Sequence, residues 1–140
     1  MGKVIGLDLG TRTLGIAISD SLGMIAYGRE THRFENGNYK EAATYAVEYA
    51  KKEGVTEIAL GLPLHMNGDV GDHAQSAMHF KEEMLELNPN LKIALVDERM
   101  STMLATRRLL EADLSRKKRK QVIDKMAAVV ILETYLDSRH

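Results

Sequence analysis

Two strand-like segments open the chain, residues 3–9 (Lys-Val-Ile-Gly-Leu-Asp-Leu) and 14–20 (Leu-Gly-Ile-Ala-Ile-Ser-Asp), and only Gly10-Thr11-Arg12-Thr13 separates them. So short a connection permits an antiparallel hairpin and forbids a parallel pair, which needs a crossover of roughly a dozen residues or more. A third strand around 24–34 follows the turn at Leu22-Gly23 and extends the meander. After Asn36-Gly37-Asn38 the apolar period changes. Tyr39, Ala42, Ala43, Ala46, Val47 and Ala50 recur at helical spacing, and Gly54 ends the stripe. Glu57 to Gly61 reads as a short buried strand, followed by a Pro/Gly loop from Gly61 to Gly71. A second helix is expected from about Asp72 to Leu87, stopping before Pro89. Leu91 to Val96 is a fifth strand, and helices over about 101–112 and 115–137 complete the chain.

The order is βββαβαβαα. A hairpin meander followed by right-handed crossovers delivers strands 4 and 5 to the far side of strand 1. The expected fold is therefore α/β, a mixed five-stranded sheet in the order 3-2-1-4-5 with helices on its faces, which is the ribonuclease H-like arrangement. With 140 residues the chain forms one such domain, residues 1–140, and has no room for a second. Its 44% hydrophobic and 28% charged residues exclude disorder as the main state. The absence of cysteine excludes disulfides, zinc–thiolate sites and thiol catalysis. The longest apolar run, Met126 to Leu132, is far short of the roughly 20 residues of a membrane span. With no signal-peptide pattern at the N-terminus, the expectation is a soluble cytoplasmic protein without a membrane partner.

Charge is distributed unevenly. The net charge is −1, but residues 107–125 hold eight basic and three acidic side chains, a local +5 that leaves −6 on the rest. Within it, Arg116, Lys117, Lys118, Arg119 and Lys120 follow Ser115, a plausible N-cap, so five cations fall in the first turns of a helix. Positive charge there opposes the helix dipole by about 0.3–1 kcal/mol per well-placed group. An external polyanion would relieve that opposition, and a solvated basic face is the alternative. The seven aromatic residues do not interleave with the run, so a base-stacking platform is not indicated.

The informative acids interrupt apolar segments. Asp8 sits between Leu7 and Leu9 in the strand expected at the centre of the sheet. A carboxylate there requires a partner or a metal, since burying it unpaired costs several kcal/mol, as an order-of-magnitude figure. Asp97 and Glu98 directly follow strand 5, at the carboxyl end where α/β sheets bind ligands. Asp124 precedes Ala127 and Ala128, whose small size lets the last helix approach strand 1. Asp8, Glu98 and Asp124 together make an oxygen-only set suited to Mg²⁺ or Mn²⁺. Two such ions can activate water and stabilise the leaving oxygen in phosphodiester hydrolysis. Taken singly, each acid also fits an ordinary salt-bridge or surface role.

Four segments, Gly6-Leu-Asp8-Leu-Gly10-Thr-Arg12-Thr-Leu-Gly15-Ile-Ala, Gly61-Leu-Pro63-Leu-His-Met-Asn67-Gly68, Val96-Asp-Glu98-Arg99-Met-Ser-Thr102 and Asp124-Lys-Met-Ala127-Ala128-Val-Val-Ile-Leu132, resemble the YqgF family. These are RuvX-like pre-16S rRNA nucleases, also described as Holliday junction resolvases. The resemblance runs from residue 3 to about 138. It implies a ribonuclease H-like fold, maturation of the 5′ end of 16S rRNA, and Asp8, Glu98 and Asp124 as catalytic, metal-holding acids. His65 stands where the family commonly has asparagine, and Ser101 where it commonly has threonine.

Around these acids, Gly10 allows close backbone approach, Thr11 offers a hydroxyl and Arg12 a bidentate phosphate clamp. Asn67 in the Gly61–Gly71 loop, Arg99 beside Glu98 and the basic run 116–120 complete the expected substrate-contacting set. The five histidines show no metal-ligand spacing. An actin-like or sugar-kinase-like nucleotide-binding protein shares the first motif but needs two domains, and no Walker or dinucleotide fingerprint is present. The expectation is thus a two-metal-ion nuclease acting on structured RNA, pre-16S rRNA free or within the small ribosomal subunit, as a monomer or homodimer. Resolution of four-way DNA junctions and a non-catalytic rRNA-binding assembly factor stay open as alternatives.

Overall fold

The computed structural model describes residues 2–65, 67–100 and 116–139, with the side chains of all but residues 100 and 116–125. The described elements are β1 (Val4–Leu9), β2 (Thr13–Ser19), β3 (Ala26–Arg33), α1 (Tyr39–Glu53), β4 (Glu57–Leu62), α2 (Asp72–Leu87), β5 (Lys92–Asp97), a 3₁₀ turn (Glu98–Met100) and α3 (Arg116–Ser138). The helix expected over 101–112 and the Ser115 cap lie outside the described residues.

The strands form one sheet in the order β3-β2-β1-β4-β5. β1–β2 and β2–β3 are antiparallel, whereas β1–β4 and β4–β5 are parallel. This is the expected ribonuclease H-like topology with β1 at the centre. Most element ends shift by one or two residues from the sequence reading, β5 running from Lys92 to Asp97, and two of the shifts have clear local reasons. The Asp20 carboxylate accepts the backbone N–H groups of Met24 at 2.7 Å and Ile25 at 3.0 Å, which spends them on a turn and starts β3 at Ala26. β4 continues to Leu62 because that residue pairs with Asp97 of β5.

Strand alternation sends side chains to two faces with different jobs. Ile5, Leu7, Ile16, Ile58 and Leu60 pack with the alanine stripe of α1 and with Phe80 and Met84 of α2. α1 is fixed at both ends, by Asn38, whose side chain accepts the Glu41 N–H, and by Gly54 in the left-handed conformation at φ 69°. The other face is built from smaller residues. Val4, Ala17 and Ala59 lie under Ala127, Ala128, Ile131 and Leu132 of α3. Gly6, paired in register with Ala17 and Ala59, lies at the tightest point. A Cβ on Gly6 would stand 2.7 Å from the Leu132 Cβ and 2.8 Å from the Ala128 carbonyl oxygen.

Both obstructing atoms belong to or adjoin helix backbone, so relief requires moving α3 itself. Gly6→Val should therefore lower stability by about 1–3 kcal/mol or more in denaturant unfolding, the usual range for overpacking. Gly2→Val, at a position with nothing within 4 Å of an added Cβ, should be neutral. Equal midpoints for the two variants would refute the close approach of α3 to β1.

Candidate active site at the carboxyl ends of the central strands

Asp8 is the penultimate residue of β1 and is partly buried. Two-residue periodicity sets it on the same face as Val4 and Gly6, beneath α3. On the β2 side it pairs directly with Gly15. On the β4 side the last pair is Leu7 with Leu60, so the next position beside Asp8 is Gly61. The carboxylate thus stands between two residues that contribute no side chain, at a strand end where polar groups can approach it.

Glu98 follows β5 in the 3₁₀ turn and bends back over the sheet. Its carboxyl carbon lies 3.4 Å from where a Cβ on Gly61 would sit, a point also crowded by the Ile131 Cδ1 at 2.5 Å. Asp8 and Glu98, far apart in sequence, are therefore brought to the two sides of Gly61. Asp124 falls in α3 one turn before Ala128, and its side chain lies outside the described residues. Among the described residues no three metal-ligating side chains converge.

The β1–β2 turn continues directly from Asp8. The Gly10 N–H donates to the Thr13 carbonyl at 2.7 Å, closing the turn. The Thr11 carbonyl accepts the Gly37 N–H at 3.0 Å and the Arg12 carbonyl accepts the Phe34 N–H at 2.9 Å, which ties the tip to the segment after β3. The turn backbone is braced while residues 11 and 12 remain exposed. In the Gly61–Gly71 loop, Asn67 is engaged internally: its Nδ2 donates to Asp69 Oδ2 and its Oδ1 accepts the Asp69 N–H, both at 3.0 Å. The same loop is closed by hydrogen bonds from the His65 N–H to the Asp69 carbonyl and from the Gly68 N–H to the His65 carbonyl, at 3.0 and 2.8 Å. The His65 ring covers Gly71, where an added Cβ would meet Nε2 at 2.3 Å.

Arg99 is held by Asp97. Its Nη2 donates to Asp97 Oδ2 at 2.7 Å, its Nε to Oδ1 at 3.1 Å, and its backbone N–H to Oδ1 at 3.0 Å. Hydrogen bonding to this guanidinium holds the Asp97 carboxyl below the usual carboxylate range and pushes the Arg99 guanidinium up. Residues 116–120 form the first turns of α3, and their side chains, like Ser101, lie outside the described residues.

The sequence reading named candidate acids but missed the companions of Asp8 and the partner of Arg99. Gly15 was readable in principle, because a four-residue turn closed by Leu9 and Leu14 puts Asp8 opposite Gly15. Gly61 required the β1–β4 register. Asp97 gave no signal of its own beyond its place next to Glu98.

The sequence matches the family model described as RuvX, Holliday junction resolvase, over residues 2–138. A relative from Staphylococcus aureus strain JH9, named "Putative pre-16S rRNA nuclease", is 50% identical over 138 residues, covering 99% of this chain and 97% of its own. The fold is similar to that of Thermus thermophilus RuvC. One RuvC structure, solved in complex with Holliday junction substrate, gives a TM-score of 0.61 at 12% identity, covering 98% of this chain and 95% of that one. A second RuvC structure gives 0.55 at 11% identity with the same coverage. No described helix is long and apolar enough to cross a membrane.

Proposed function

The chain belongs to the RuvX family, and from that premise we propose that it is a divalent-metal-dependent nuclease that processes the 5′ end of pre-16S rRNA. The observation that carries the chemistry is the pair of acids at Gly61. Asp8 emerges at the end of the central strand between Gly15 and Gly61, and the Glu98 carboxyl group comes to the same glycine. Gly61 lets the Ile131 side chain and the Glu98 carboxyl group come down onto β4 beside Asp8, and both donors are carboxylate oxygens, the chemistry that hard divalent cations prefer. Asp124 is proposed as the third acid. α3 runs antiparallel to β1, with Leu136 near Gly23 at one end and Ala128 over Gly6 further along. Gly6 lies between Ala128 and Leu132, and moving toward Asp8 along β1 runs toward the start of α3, which supports Asp124 as the acid nearest that end.

Asp8, Glu98 and Asp124 would hold Mg²⁺ or Mn²⁺, one ion or a pair. When bound, such ions supply Lewis-acid activation of water and of the leaving oxygen in phosphodiester hydrolysis. The chain's own residues supply position and charge. The braced turn presents Thr11 and Arg12 to the phosphate next to the scissile one, where a guanidinium can make two parallel hydrogen bonds. The run 116–120 opens α3 at the same end of the sheet and attracts the polyanionic backbone. A family description and a RuvC structure that both concern Holliday junctions favour a second reading, resolution of four-way DNA, with the same acids and a different scaffold of substrate.

With Mg²⁺ or Mn²⁺, wild type should cut a pre-16S 5′-end RNA, free or in subunit particles. Asp8→Asn should reduce cleavage by at least about 10³-fold with fold and RNA binding retained. Cleavage of a four-way DNA junction alone would transfer the assignment to recombination, and RNA binding without turnover would make the protein an assembly factor. Replacing all five cations of 116–120 with Gln should weaken RNA binding. It should also flatten the slope of log affinity against log salt, by roughly 0.7–0.9 per lost phosphate contact. An unchanged slope would return the run to a solvated face.

A further inference from the structure

The exposed cluster Leu22, Met24, Ile25 and Tyr27, the open groove beside Phe34 and the ion-pair group around Glu57 each lack a feature that identifies an occupant. The contact between Asp97, Arg99 and Gly68 carries further. Arg99 is folded back so that the carboxylate two residues before it takes both its backbone N–H and one edge of its guanidinium. The guanidinium then lies against Gly68 of the β4–α2 loop. An added Cβ there would meet Nη1 at 3.4 Å, Nη2 at 3.9 Å and Cζ at 4.0 Å. Gly68 has φ +93°, a conformation side chains rarely adopt, so the loop turns at the point where the guanidinium touches it.

Glu98 lies between the two members of this pair. With residues 97 and 99 tied to each other, the 3₁₀ turn has little freedom, and the Glu98 carboxyl group is kept at Gly61. We infer that Asp97 and Arg99 form a latch that fixes the β4–α2 loop to the turn carrying Glu98, with Asp97 a positioning residue that acts through Arg99. The inference rests on the nuclease reading for its catalytic consequence and on geometry alone for the latch. It gives Arg99 a role within the fold beside the expected one of substrate contact. With its Nε and Nη2 on a neighbouring carboxylate, the guanidinium has one edge committed to the turn.

Two roles for Arg99 give opposite patterns in the full-length protein. For a latch, Asp97→Asn and Arg99→Gln should each lower kcat by about 10–100-fold, the scale of a small misplacement of a reacting group. KM and the salt slope of RNA binding should stay within about twofold of wild type. The double variant should be no worse than the worse single one, because both remove one unit. Arg99→Lys keeps the charge without the planar fork and should restore only part of kcat. Hydrogen exchange at residues 67–69, measured without metal or RNA, should quicken in both single variants while exchange in β1 and β2 is unchanged. That readout holds even if the nuclease reading fails, which would show as a wild type that cuts no nucleic acid. The inference is overturned if loop exchange is unaltered. It is equally overturned if Arg99→Gln lowers the salt slope by about one phosphate contact while Asp97→Asn keeps wild-type kcat, the pattern of a direct substrate contact.

Discussion

The structure depends on how closely α3 lies on the central strand. Glycine at position 6, with alanines at 17 and 59 in the same row, leaves nothing between β1 and the helix but hydrogen atoms. The helix meets this row with Ala127 and Ala128 rather than with large side chains. Close packing of this kind excludes water from the middle of the sheet and gains dispersion contacts at short range. One step further along the strands the row becomes Gly15, Asp8, Gly61. There Gly61 still admits Ile131 of α3, while a carboxylate occupies the centre of the row. Small residues therefore do two jobs in succession: they bring the helix down, then let Ile131 and the Glu98 carboxyl group reach the strand next to Asp8.

This accounts for how a carboxylate is tolerated in an otherwise apolar central strand. Buried one row earlier, at position 6, it would face the backbone of α3 with no escape for its charge. At position 8 the strand is ending, the β1–β2 turn has begun, and Glu98 arrives from β5. The electrostatic layout of the chain is consistent with this end being the working one. The acids proposed for this end need cations, and the segment from Arg107 to Lys125, with a net +5 in a chain of −1, contains both the proposed third acid and the basic run. The proposed site thus pairs an anionic centre with a cationic approach that a uniform charge distribution could not supply.

Most of the architecture was legible because it follows from connection length. Four residues between two alternating segments force a hairpin, and helices between later strands force parallel crossovers, so the sheet order came out of the sequence. Strand ends were less legible where side chains compete for backbone donors, as Asp20 does for Met24 and Ile25. The candidate acids stood out because charge inside apolar segments is costly. The internal partners of Asn67 and Arg99 were not legible. Both are polar residues in motifs, where a substrate contact and an internal brace look alike, and only the geometry shows Asn67 tied to Asp69 and Arg99 to Asp97. A partner two residues away within a turn leaves no periodic trace. The resemblance to a known family supplied what spacing could not, the substrate class.

The central claim is that three acids from β1, the turn after β5 and α3 form one cation site. Mn²⁺ titration followed by electron paramagnetic resonance, on wild type and Asp124→Asn in the absence of nucleic acid, tests it most directly. The account predicts a bound Mn²⁺ signal in wild type and affinity at least about tenfold weaker in the variant, as loss of one charged oxygen ligand requires. Equal affinity in the two proteins, with both folded, would remove Asp124 from the site and contradict the account.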